Sequence, residues 1–283
     1  MKKIIIILPL YNDWKSAKKL LGNIDKFFSK DKSNLNIIIV NDNSSQKINI
    51  KFKKFFNIKK VEIINLNKNL GSQKAIYIGL NKIKYETNSI IVVMDSDGED
   101  DPSKLKDLIK KANLYKDGII FAKRTRRTEN LILQFLNNVR LIITYLLVGK
   151  FLDVGNFSAF SGKNLKKLLS NKNLTIAFCS GAMKNVRNIY FLGIDKKKRY
   201  FGNSKVNFKF LLIHSLNIIS VFFQRVFIRT SIIFLFFLLL NLSNYSILVS
   251  LYLVINICLV SIYFYKINVN LDKKIIKQIK RVH

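Results

Sequence analysis

The stretch Ile90-Ile91-Val92-Val93-Met94-Asp95-Ser96-Asp97 is the clearest fold signal in this sequence. It begins as a short, continuous and mainly β-branched apolar run, which is typical of a strand buried on both faces of a parallel sheet. It ends in two carboxylates separated by one small residue, which indicates a turn at the carboxyl end of that strand. We therefore predict a buried strand over residues 90–94 with a polar site at its end.

Runs of the same kind alternate with helical patterns on both sides of this stretch. The other predicted strands are residues 4–8, 36–40, 61–65 and 118–122, and the predicted helices are residues 16–28, 73–83 and 102–115. This alternation predicts an α/β fold whose mainly parallel sheet carries helices on both faces. In such sheets ligands bind beyond the carboxyl ends of the strands, where Tyr11-Asn12-Asp13, Asn41-Asp42-Asn43-Ser44-Ser45 and Asp95-Ser96-Asp97 fall.

The chain is strongly basic, since its 283 residues contain 49 Lys and Arg against 17 Asp and Glu, for a formal net charge of +32. The lysines are spread along the whole chain, and no nucleic-acid-binding motif such as an aromatic RNP box or a Cys/His finger is present. We therefore expect anionic lipid and phosphorylated substrates, and not nucleic acid, as partners. The two cysteines, Cys179 and Cys258, provide neither a disulfide framework nor a metal knuckle.

The composition changes near the C-terminal end, where residues 230–265 contain no charged side chain. A helix crosses the membrane core with about 20 apolar residues, so this length does not suit a single helix. The polar stretch 241–246 favours a hairpin of two spans, the first of which borrows upstream residues while Arg225 and Arg229 extend towards the headgroups. A single span after an interfacial helix is the alternative.

Positive charges flank both ends of this apolar region, and its polar middle has none. By the positive-inside rule, the first domain and the C-terminal segment are expected on the cytoplasmic side of the inner membrane. The apolar segment 206–223 carries few charges, which is typical of a helix on the membrane surface. The predicted organisation is an α/β domain over 1–205, a juxtamembrane amphipathic segment over 206–229, a transmembrane hairpin over 230–265 and a basic cytoplasmic tail over 266–283.

Five of the 17 acidic residues lie in seven consecutive positions, from Asp95 to Asp101. Carboxylates this crowded repel one another unless they are protonated or neutralised by a cation. Mg²⁺ commonly binds between one or two carboxylates and substrate phosphates, so Asp95 and Asp97 are predicted to hold a metal that contacts a diphosphate. The alternative is a solvated acidic loop before a helix, because Asp100 and Asp101 directly precede Pro102.

Several short motifs, in this order along the chain, together resemble family 2 glycosyltransferases of the GT-A fold. They are Ile7-Leu8-Pro9-Leu10-Tyr11-Asn12-Asp13, Val40-Asn41-Asp42-Asn43-Ser44-Ser45, Asn69-Leu70-Gly71 with Ala75 and Gly79, and Met94-Asp95-Ser96-Asp97. Three more resemble the branch of dolichol-phosphate mannosyltransferases and bactoprenol glucosyltransferases: Lys123-Arg124-Thr125-Arg126-Arg127, Asp153-Val154-Gly155-Asn156-Phe157 and Arg199-Tyr200-Phe201-Gly202-Asn203-Ser204-Lys205. With the amphipathic stretch and the membrane spans, the resemblance covers about residues 1–265.

The resemblance implies a pocket for the base of a nucleotide sugar. Pro9, Tyr11 and Asp13 would line this pocket, and Asp42 would hydrogen-bond the base. Asp13 stands where the family usually has Glu, and Asn41 stands where a second Asp is usual. From the sequence alone, Asp42 is equally well explained as a turn-forming residue after a strand.

The resemblance also implies how the diphosphate and the reacting sugar are held. Asp95 would contact the ribose or the metal, and Asp97 would bind the diphosphate through Mg²⁺ or Mn²⁺. Gly71 would let the backbone approach the donor. Asp153 is isolated among apolar neighbours in sequence and would contact the sugar or act as a base, unless it only caps the next turn.

A cationic group would bind the phosphates of the donor and the acceptor. Its predicted members are Arg124, Arg127, Arg199, Ser204 and Lys205. Guanidinium groups suit phosphate because they donate hydrogen bonds in pairs, although most of the 49 basic residues are solvated surface charges. Asn156 and Ser158 stand where the family commonly has Asp and Arg, which leaves the acceptor open.

The sequence therefore predicts an inverting transfer of a hexose from a UDP- or GDP-linked sugar to polyprenyl phosphate at the cytoplasmic membrane face. A glycosyltransferase that acts on a saccharide in lipopolysaccharide or capsule assembly is the first alternative. A non-catalytic membrane scaffold is the second, because Asn41 and Asn156 replace expected carboxylates. Homo-oligomerisation is left open.

Overall fold

The structure is a computed structural model, and it describes residues 2–29, 34–46, 55–84, 87–125, 131–195, 197–202, 208–239, 245–268 and 275–282. The β-branched runs of the first half form its strands. The strands are β1 (Lys3–Leu10), β2 (Asn34–Asn41), β3 (Ile58–Leu66), β4 (Ser89–Val93), β5 (Gly118–Arg124), β6 (Ser158–Ser161), β7 (Asn188–Ile194) and β8 (Ile276–Arg281).

These strands form one sheet in the order β7-β5-β6-β4-β1-β2-β3-β8. The pairs β1–β2, β1–β4, β2–β3 and β5–β7 are parallel. Strand β6 runs antiparallel to β4 and β5, and β8 runs antiparallel to β3. The predicted mainly parallel sheet is confirmed, and each of the five predicted strands lies within or next to an observed one.

Helices cover both faces of the sheet, as predicted. They are α1 (Trp14–Phe27), α2 (Ser72–Asn81), α3 (Leu105–Leu114), α4 (Leu131–Val148), α5 (Leu165–Leu168), α6 (Phe178–Asn185), α7 (Phe208–Ser220), α8 (Phe223–Leu239) and α9 (Tyr245–Ile267). The helix predicted over 102–115 begins with a 3₁₀ turn at Pro102–Lys104 and continues as α3.

The alternation of side chains along β1 separates two cores. Ile4 and Ile6 pack in one core with residues of α1 and α3, whereas Ile5 and Ile7 pack in the other with residues of α2 and α6. The second core also contains buried residues of the C-terminal helices, including Ile218 of α7. The α/β domain and the apolar helices therefore share one continuous core.

The chain bends by 88° between α7 and α8, and Val221 and Phe222 lie at the bend. We call residues 221–225 the elbow. The predicted juxtamembrane segment 206–229 contains this bend, so α8 already includes the upstream residues that the first span was expected to borrow. By length and composition, α9 is one helix able to cross a membrane in the described part of the chain, and the bent pair α7–α8 is a second candidate.

Helices α8 and α9 pack against each other as an antiparallel hairpin. The rings of Phe234 and Tyr252 stack with centroids 5.1 Å apart. Asn256 Nδ2 donates a hydrogen bond to Thr230 Oγ1 over 3.1 Å. Such polar contacts between helices satisfy groups that have no water partner in a bilayer.

Among the helices and strands, β6, β7, β8, α4, α5 and α6 were not predicted from the sequence. The segment 266–283 was expected to be a basic tail, yet its residues 276–281 form β8 on the edge of the sheet. Ile275 is buried beside Leu66 and Ala75, and its carbonyl accepts a hydrogen bond from Asn67 N over 2.9 Å. Apolar residues of the segment therefore hold this strand against the domain despite its many lysines.

Candidate active site

The loops that follow β1, β2 and β4 meet at the carboxyl edge of the sheet, as predicted. Asn12 N donates to Ser44 Oγ over 2.9 Å, which joins the loops after β1 and β2. Ser96 Oγ donates to Pro9 O over 2.9 Å, which joins the loop after β4 to the end of β1. These bonds bring the three polar motifs of the sequence into one site, in the position where α/β sheets bind ligands.

Asp42 lies at the end of β2 and is buried. Its Oδ1 accepts a hydrogen bond from Leu70 N over 2.7 Å, and its Oδ2 accepts one from Gly71 N over 2.8 Å. Burial raises the pKa of Asp42, and these two bonds and the charge of Lys74 oppose that rise. Asp42 thus holds the loop before α2 in place through two hydrogen bonds. Its contact with the nucleotide base stays a prediction.

Gly71 has a φ of 86°, a backbone conformation that favours glycine. No heavy atom lies within 4 Å of the position that a Cβ at this residue would occupy. The backbone at Gly71 therefore faces open space, which leaves room for a ligand to approach it. The predicted contact with the donor is compatible with this geometry and stays a prediction.

Asn41 fills the position where the resemblance expected a second Asp. Its Nδ2 donates to Asn65 Oδ1 on β3 over 2.8 Å, and its Oδ1 accepts from Ser44 N over 3.1 Å. A carboxylate could accept the second bond but could not donate the first. The amide is therefore explained by its link between β2 and β3.

The acidic loop after β4 is bound to itself by hydrogen bonds. Asp95 N donates to Asp100 Oδ2 over 2.8 Å, and Glu99 N donates to Asp97 Oδ1 over 2.9 Å. Burial, together with the charge of Asp97, raises the pKa of Asp95 to about 6. Burial also raises the pKa values of Asp97 and Asp100, so this loop holds more negative charge than its surroundings favour.

Asp101 behaves differently and fits the alternative of a helix-start residue. Its Oδ1 accepts from Ser103 N over 3.0 Å at the turn that precedes α3. Burial acts to raise the pKa of Asp101, but the bonds from Ser103 and the charge of Lys197 outweigh it and lower that pKa. The acidic loop thus combines one capping residue with carboxylates that face the site.

Asn156 and Gln73 belong to the site, and the sequence reasoning did not assign them to it. Asn156 Nδ2 donates to Asp95 Oδ1 over 3.1 Å, and Gln73 Nε2 donates to Asn156 Oδ1 over 3.4 Å. Gln73 Oε1 accepts from Phe178 N at the start of α6. An Asp at position 156 would place another negative charge beside Asp95, so the neutral amide suits this position better.

Arg199 lies between two of the predicted site carboxylates. Its Nη2 lies 2.7 Å from Asp13 Oδ2, and its Nη1 lies 3.8 Å from Asp97 Oδ2. Arg199 Nε is buried, and the described residues offer it no hydrogen-bond partner. This ion pair explains why position 13 carries a carboxylate. The phosphate contact of Arg199 stays a prediction.

The remaining predicted residues occupy different positions. Arg124 lies at the end of β5, and its charge acts to lower the pKa values of Asp95 and Asp100. Tyr11 lies at the end of β1 with 45% of its surface exposed. Arg127, Ser204 and Lys205 lie outside the described residues, so their roles stay predictions.

Asp153 is isolated only in the sequence, because α4 brings a cation to it. Arg140 Nη2 lies 3.7 Å from Asp153 Oδ1, and Arg140 Nη1 donates to Leu152 O over 3.2 Å. This partner comes from a helix that the sequence reasoning did not predict. The role of Asp153 as a base stays a prediction. The structure adds that this carboxylate is ion-paired with Arg140.

The acidic loop fits a divalent cation that substrate phosphates help to hold. Among the described residues, no three His, Cys, Asp or Glu side chains form a group that could hold a metal by themselves. Mg²⁺ needs only one or two carboxylates where substrate phosphates supply further oxygens. Asp95 and Asp97 match that ligand set, and the raised pKa values indicate that positive charge would be favourable there.

The mainly parallel sheet, with its acidic loop at the carboxyl edge, defines a glycosyltransferase of the GT-A fold. The chain belongs to glycosyl transferase family 2, whose family model matches residues 5–188. The glucosyl-3-phosphoglycerate synthase of Mycobacterium tuberculosis, solved with Mn²⁺, UDP-glucose and phosphoglyceric acid, has a similar fold. Its TM-score is 0.53 and its identity 15%, with 80% of each chain covered.

Two relatives in sequence illustrate the range within this family. The uncharacterized glycosyltransferase sll0501 of Synechocystis sp. is 23% identical over 215 residues, which cover 73% of this chain and 65% of that protein. The undecaprenyl-phosphate 4-deoxy-4-formamido-L-arabinose transferase of Proteus mirabilis is 25% identical over 129 residues, which cover 45% of this chain and 39% of that protein. The chain thus spans less than two thirds of the length of either relative.

Proposed function

We propose that this glycosyltransferase moves a hexose from a UDP- or GDP-linked sugar to polyprenyl phosphate at the cytoplasmic face of the inner membrane. One observation carries the proposal: the acidic site and the apolar helices are joined in one core. Gln73, which contacts Asn156 beside Asp95, also binds Phe178 of α6, and α6 packs in the same core as Phe222 at the elbow. Such a site is held close to the headgroup layer, where a polyprenyl chain presents its phosphate.

Exposed apolar side chains on α4 support the membrane location. Phe135, Ile142 and Leu146 are each more than half exposed, and α4 packs against α8. An apolar surface beside candidate membrane helices is stabilised by contact with lipid. The Proteus relative, whose name gives undecaprenyl phosphate as its substrate, supports the choice of acceptor.

The position of β8 supports two crossings instead of one. Because β8 pairs with β3 of the catalytic sheet, the chain that leaves α9 returns to the side where the active site lies. Two crossings, by α8 and α9, return the chain to the side from which it started, whereas a single crossing would not. Arg225, Arg229 and Lys266 lie at the same end of the hairpin, which by the positive-inside rule is the cytoplasmic end.

In the proposed reaction, a phosphate oxygen of the acceptor attacks the anomeric carbon as the bond to the nucleoside diphosphate breaks, with inversion. Asp95 and Asp97 would hold Mg²⁺ or Mn²⁺, which when bound would neutralise charge on the diphosphate. Asn156 orients Asp95, and Arg199 orients Asp97. The acceptor phosphate is already anionic, so Asp153 would be needed as a base only for a hydroxyl acceptor.

Product analysis tests this proposal. Membranes containing the protein, incubated with a radiolabelled nucleotide sugar and added polyprenyl phosphate, should form a lipid-extractable product that mild acid hydrolyses. Lys205→Ala should raise the acceptor KM more than the donor KM, because Lys205 is proposed to contact the acceptor phosphate. Strong transfer to a saccharide with polyprenyl phosphate inert would replace the lead proposal by the saccharide alternative.

The scaffold alternative loses its support because both amides that motivated it have structural roles. Asn41 links β2 to β3, and Asn156 binds Asp95. Neither amide leaves an incomplete pocket behind. Absence of any transfer, with every nucleotide sugar and acceptor tested, would restore that alternative.

A further inference from the structure

Three cationic side chains gather around the elbow, far from the acidic loop in sequence. Lys184 Nζ donates to Val221 O over 2.7 Å and lies 5.8 Å and 5.5 Å from the ring centroids of Phe223 and Tyr263. Lys150 Nζ donates to Met183 O over 3.4 Å. The elbow cluster is defined as Lys150, Lys184 and Arg225.

The ring of Phe222 connects two members of the elbow cluster. Lys150 Nζ lies 6.0 Å and the Arg225 guanidinium carbon 5.7 Å from its centroid. Burial and the charge of Arg225 lower the pKa values of both lysines. The cations are therefore close enough to repel one another in a partly dehydrated place.

No carboxylate balances these charges in the part of the chain that the structure describes. None of the three cations lies within 4.0 Å of a described carboxylate oxygen. Each ammonium group carries three donors, and the described residues give each of the two lysines one carbonyl acceptor. The elbow cluster thus has both spare hydrogen-bond donors and uncompensated positive charge, which an anion would satisfy.

We propose that the elbow cluster binds the phosphate of one anionic phospholipid. The walls of the site favour a lipid over a free phosphate, since they consist of the rings of Phe222, Phe223 and Tyr263. One turn further along α8, Phe227 and Ile228 are at least half exposed and continue the apolar surface that acyl chains require. Basic pockets beside membrane helices bind anionic headgroups through this combination of charge and apolar contact.

The inference rests on the membrane location in the proposed function but not on the acceptor. The elbow is joined to α6, and α6 begins at Phe178, which contacts the active-site residue Gln73. A phospholipid bound between α6 and α8 would therefore fix the catalytic domain relative to the bilayer. It would do so whether or not polyprenyl phosphate is the substrate.

The test uses the full chain in phosphatidylcholine nanodiscs, without nucleotide sugar or polyprenyl phosphate. Electron paramagnetic resonance measures the motionally restricted fraction of spin-labelled phosphatidylglycerol and of spin-labelled phosphatidylcholine. We expect several-fold preference for phosphatidylglycerol, reduced on the order of fivefold for each ammonium removed in Lys150→Gln and Lys184→Gln. Lys166→Gln with Lys167→Gln, the same charge change on α5, should leave the preference unchanged.

Further outcomes decide the proposal. Lys184→Arg should retain the preference because it keeps the charge, and retained binding of a nucleotide sugar by the variants would show that they are folded. Equal loss in the α5 control would overturn the site, as would displacement of the labelled lipid by millimolar inorganic phosphate. No restricted fraction of either lipid would overturn the membrane location as well, whereas failure of transfer to polyprenyl phosphate would leave the lipid measurement unaffected.

Discussion

The acidic loop after β4 and the elbow cluster are both groups of like charge, but different contacts hold them. Asp95 and Asp97 accept directional hydrogen bonds from Asn156 Nδ2 and from Glu99 N. Lys150 and Lys184 instead lie over aromatic rings and donate to one carbonyl each. A hydrogen bond weakens steeply with misalignment, whereas a cation is attracted over a wide area of a ring.

This difference matches what each cluster is proposed to bind. Stabilising a departing diphosphate requires charges held in advance at fixed positions. A phospholipid headgroup is mobile and needs charge without a fixed orientation. We therefore expect the acidic loop to be sensitive to the exchange of single atoms, and the region around the elbow to tolerate such changes.

The largest effect is expected from Asp97→Asn. This exchange removes the charge that would bind the cation and leaves Arg199 its contact with Asp13. Turnover should fall by about a thousandfold or more, with the melting temperature close to that of the wild type. Initial rates and thermal unfolding measure the two quantities.

Asp107→Asn is the matched control, because Asp107 is an exposed residue of α3 that pairs with Lys104 of the preceding 3₁₀ turn. This variant should retain wild-type turnover. EDTA should abolish the activity of the wild type, and added Mg²⁺ or Mn²⁺ should restore it. Full activity in EDTA would remove the metal from the proposal.

A smaller loss is expected from changes at Asn156. Asn156→Ala removes the hydrogen bond to Asp95 and should lower turnover by roughly tenfold, since residues that orient metal ligands have effects of about 10- to 100-fold. Asn156→Asp should be worse than Asn156→Ala, because it adds a negative charge next to Asp95. Steady-state kinetics at several metal concentrations would distinguish the two, and a more active Asp variant would contradict the assigned role of the amide.

The elements that could be predicted from the sequence are those with a local signal. Strands such as β1 and β4 were predictable because their β-branched runs are local signals. Strand β8 was not predictable, since its basic residues interrupt the apolar pattern and its pairing depends on the exposed edge of β3. Helix α4 also escaped prediction, although its 18 residues carry a largely apolar surface.

Within the site, predictability followed the position of each residue relative to a strand. Asp42, Asp95 and Asp97 come directly after predicted strands, so parallel topology alone brings them together. Asn156 contacts Asp95, and Gln73 contacts Asn156 from a segment 83 residues away, so no local pattern encodes these contacts. The ion pair of Asp153 with Arg140 was likewise hidden, because it depends on how α4 packs.

A moderate effect is expected from Ile275, which precedes β8 and packs beside the loop that Asp42 holds. Ile275 is only 6% exposed and packs in one cluster with Leu66 and the partly buried Leu70, whose backbone N–H binds Asp42. Ile275→Ala should loosen this loop and raise the donor KM several-fold, with a smaller change in kcat. Ile279→Ala is the matched control, since Ile279 lies on β8 with 45% of its surface exposed, and equal effects in both variants would contradict the buttressing role.

The smallest effect is expected from Arg229 of α8, which lies near the elbow. Arg229 Nη1 donates to Leu146 O over 3.1 Å and to Tyr145 O over 3.4 Å, near the end of α4. A cation near a helix C-terminus binds its last carbonyls and interacts favourably with the helix dipole, but the contribution of one exposed group is small. Arg229→Gln should therefore lower the melting temperature by no more than about 2 °C and leave kcat unchanged.

Arg229→Lys, which keeps the charge but loses the planar donor group, should have a melting temperature between those of the wild type and the Gln variant. A loss of activity comparable to that of Asn156→Ala would mean that the region around the elbow is as exacting as the acidic loop, and the contrast between them would fail.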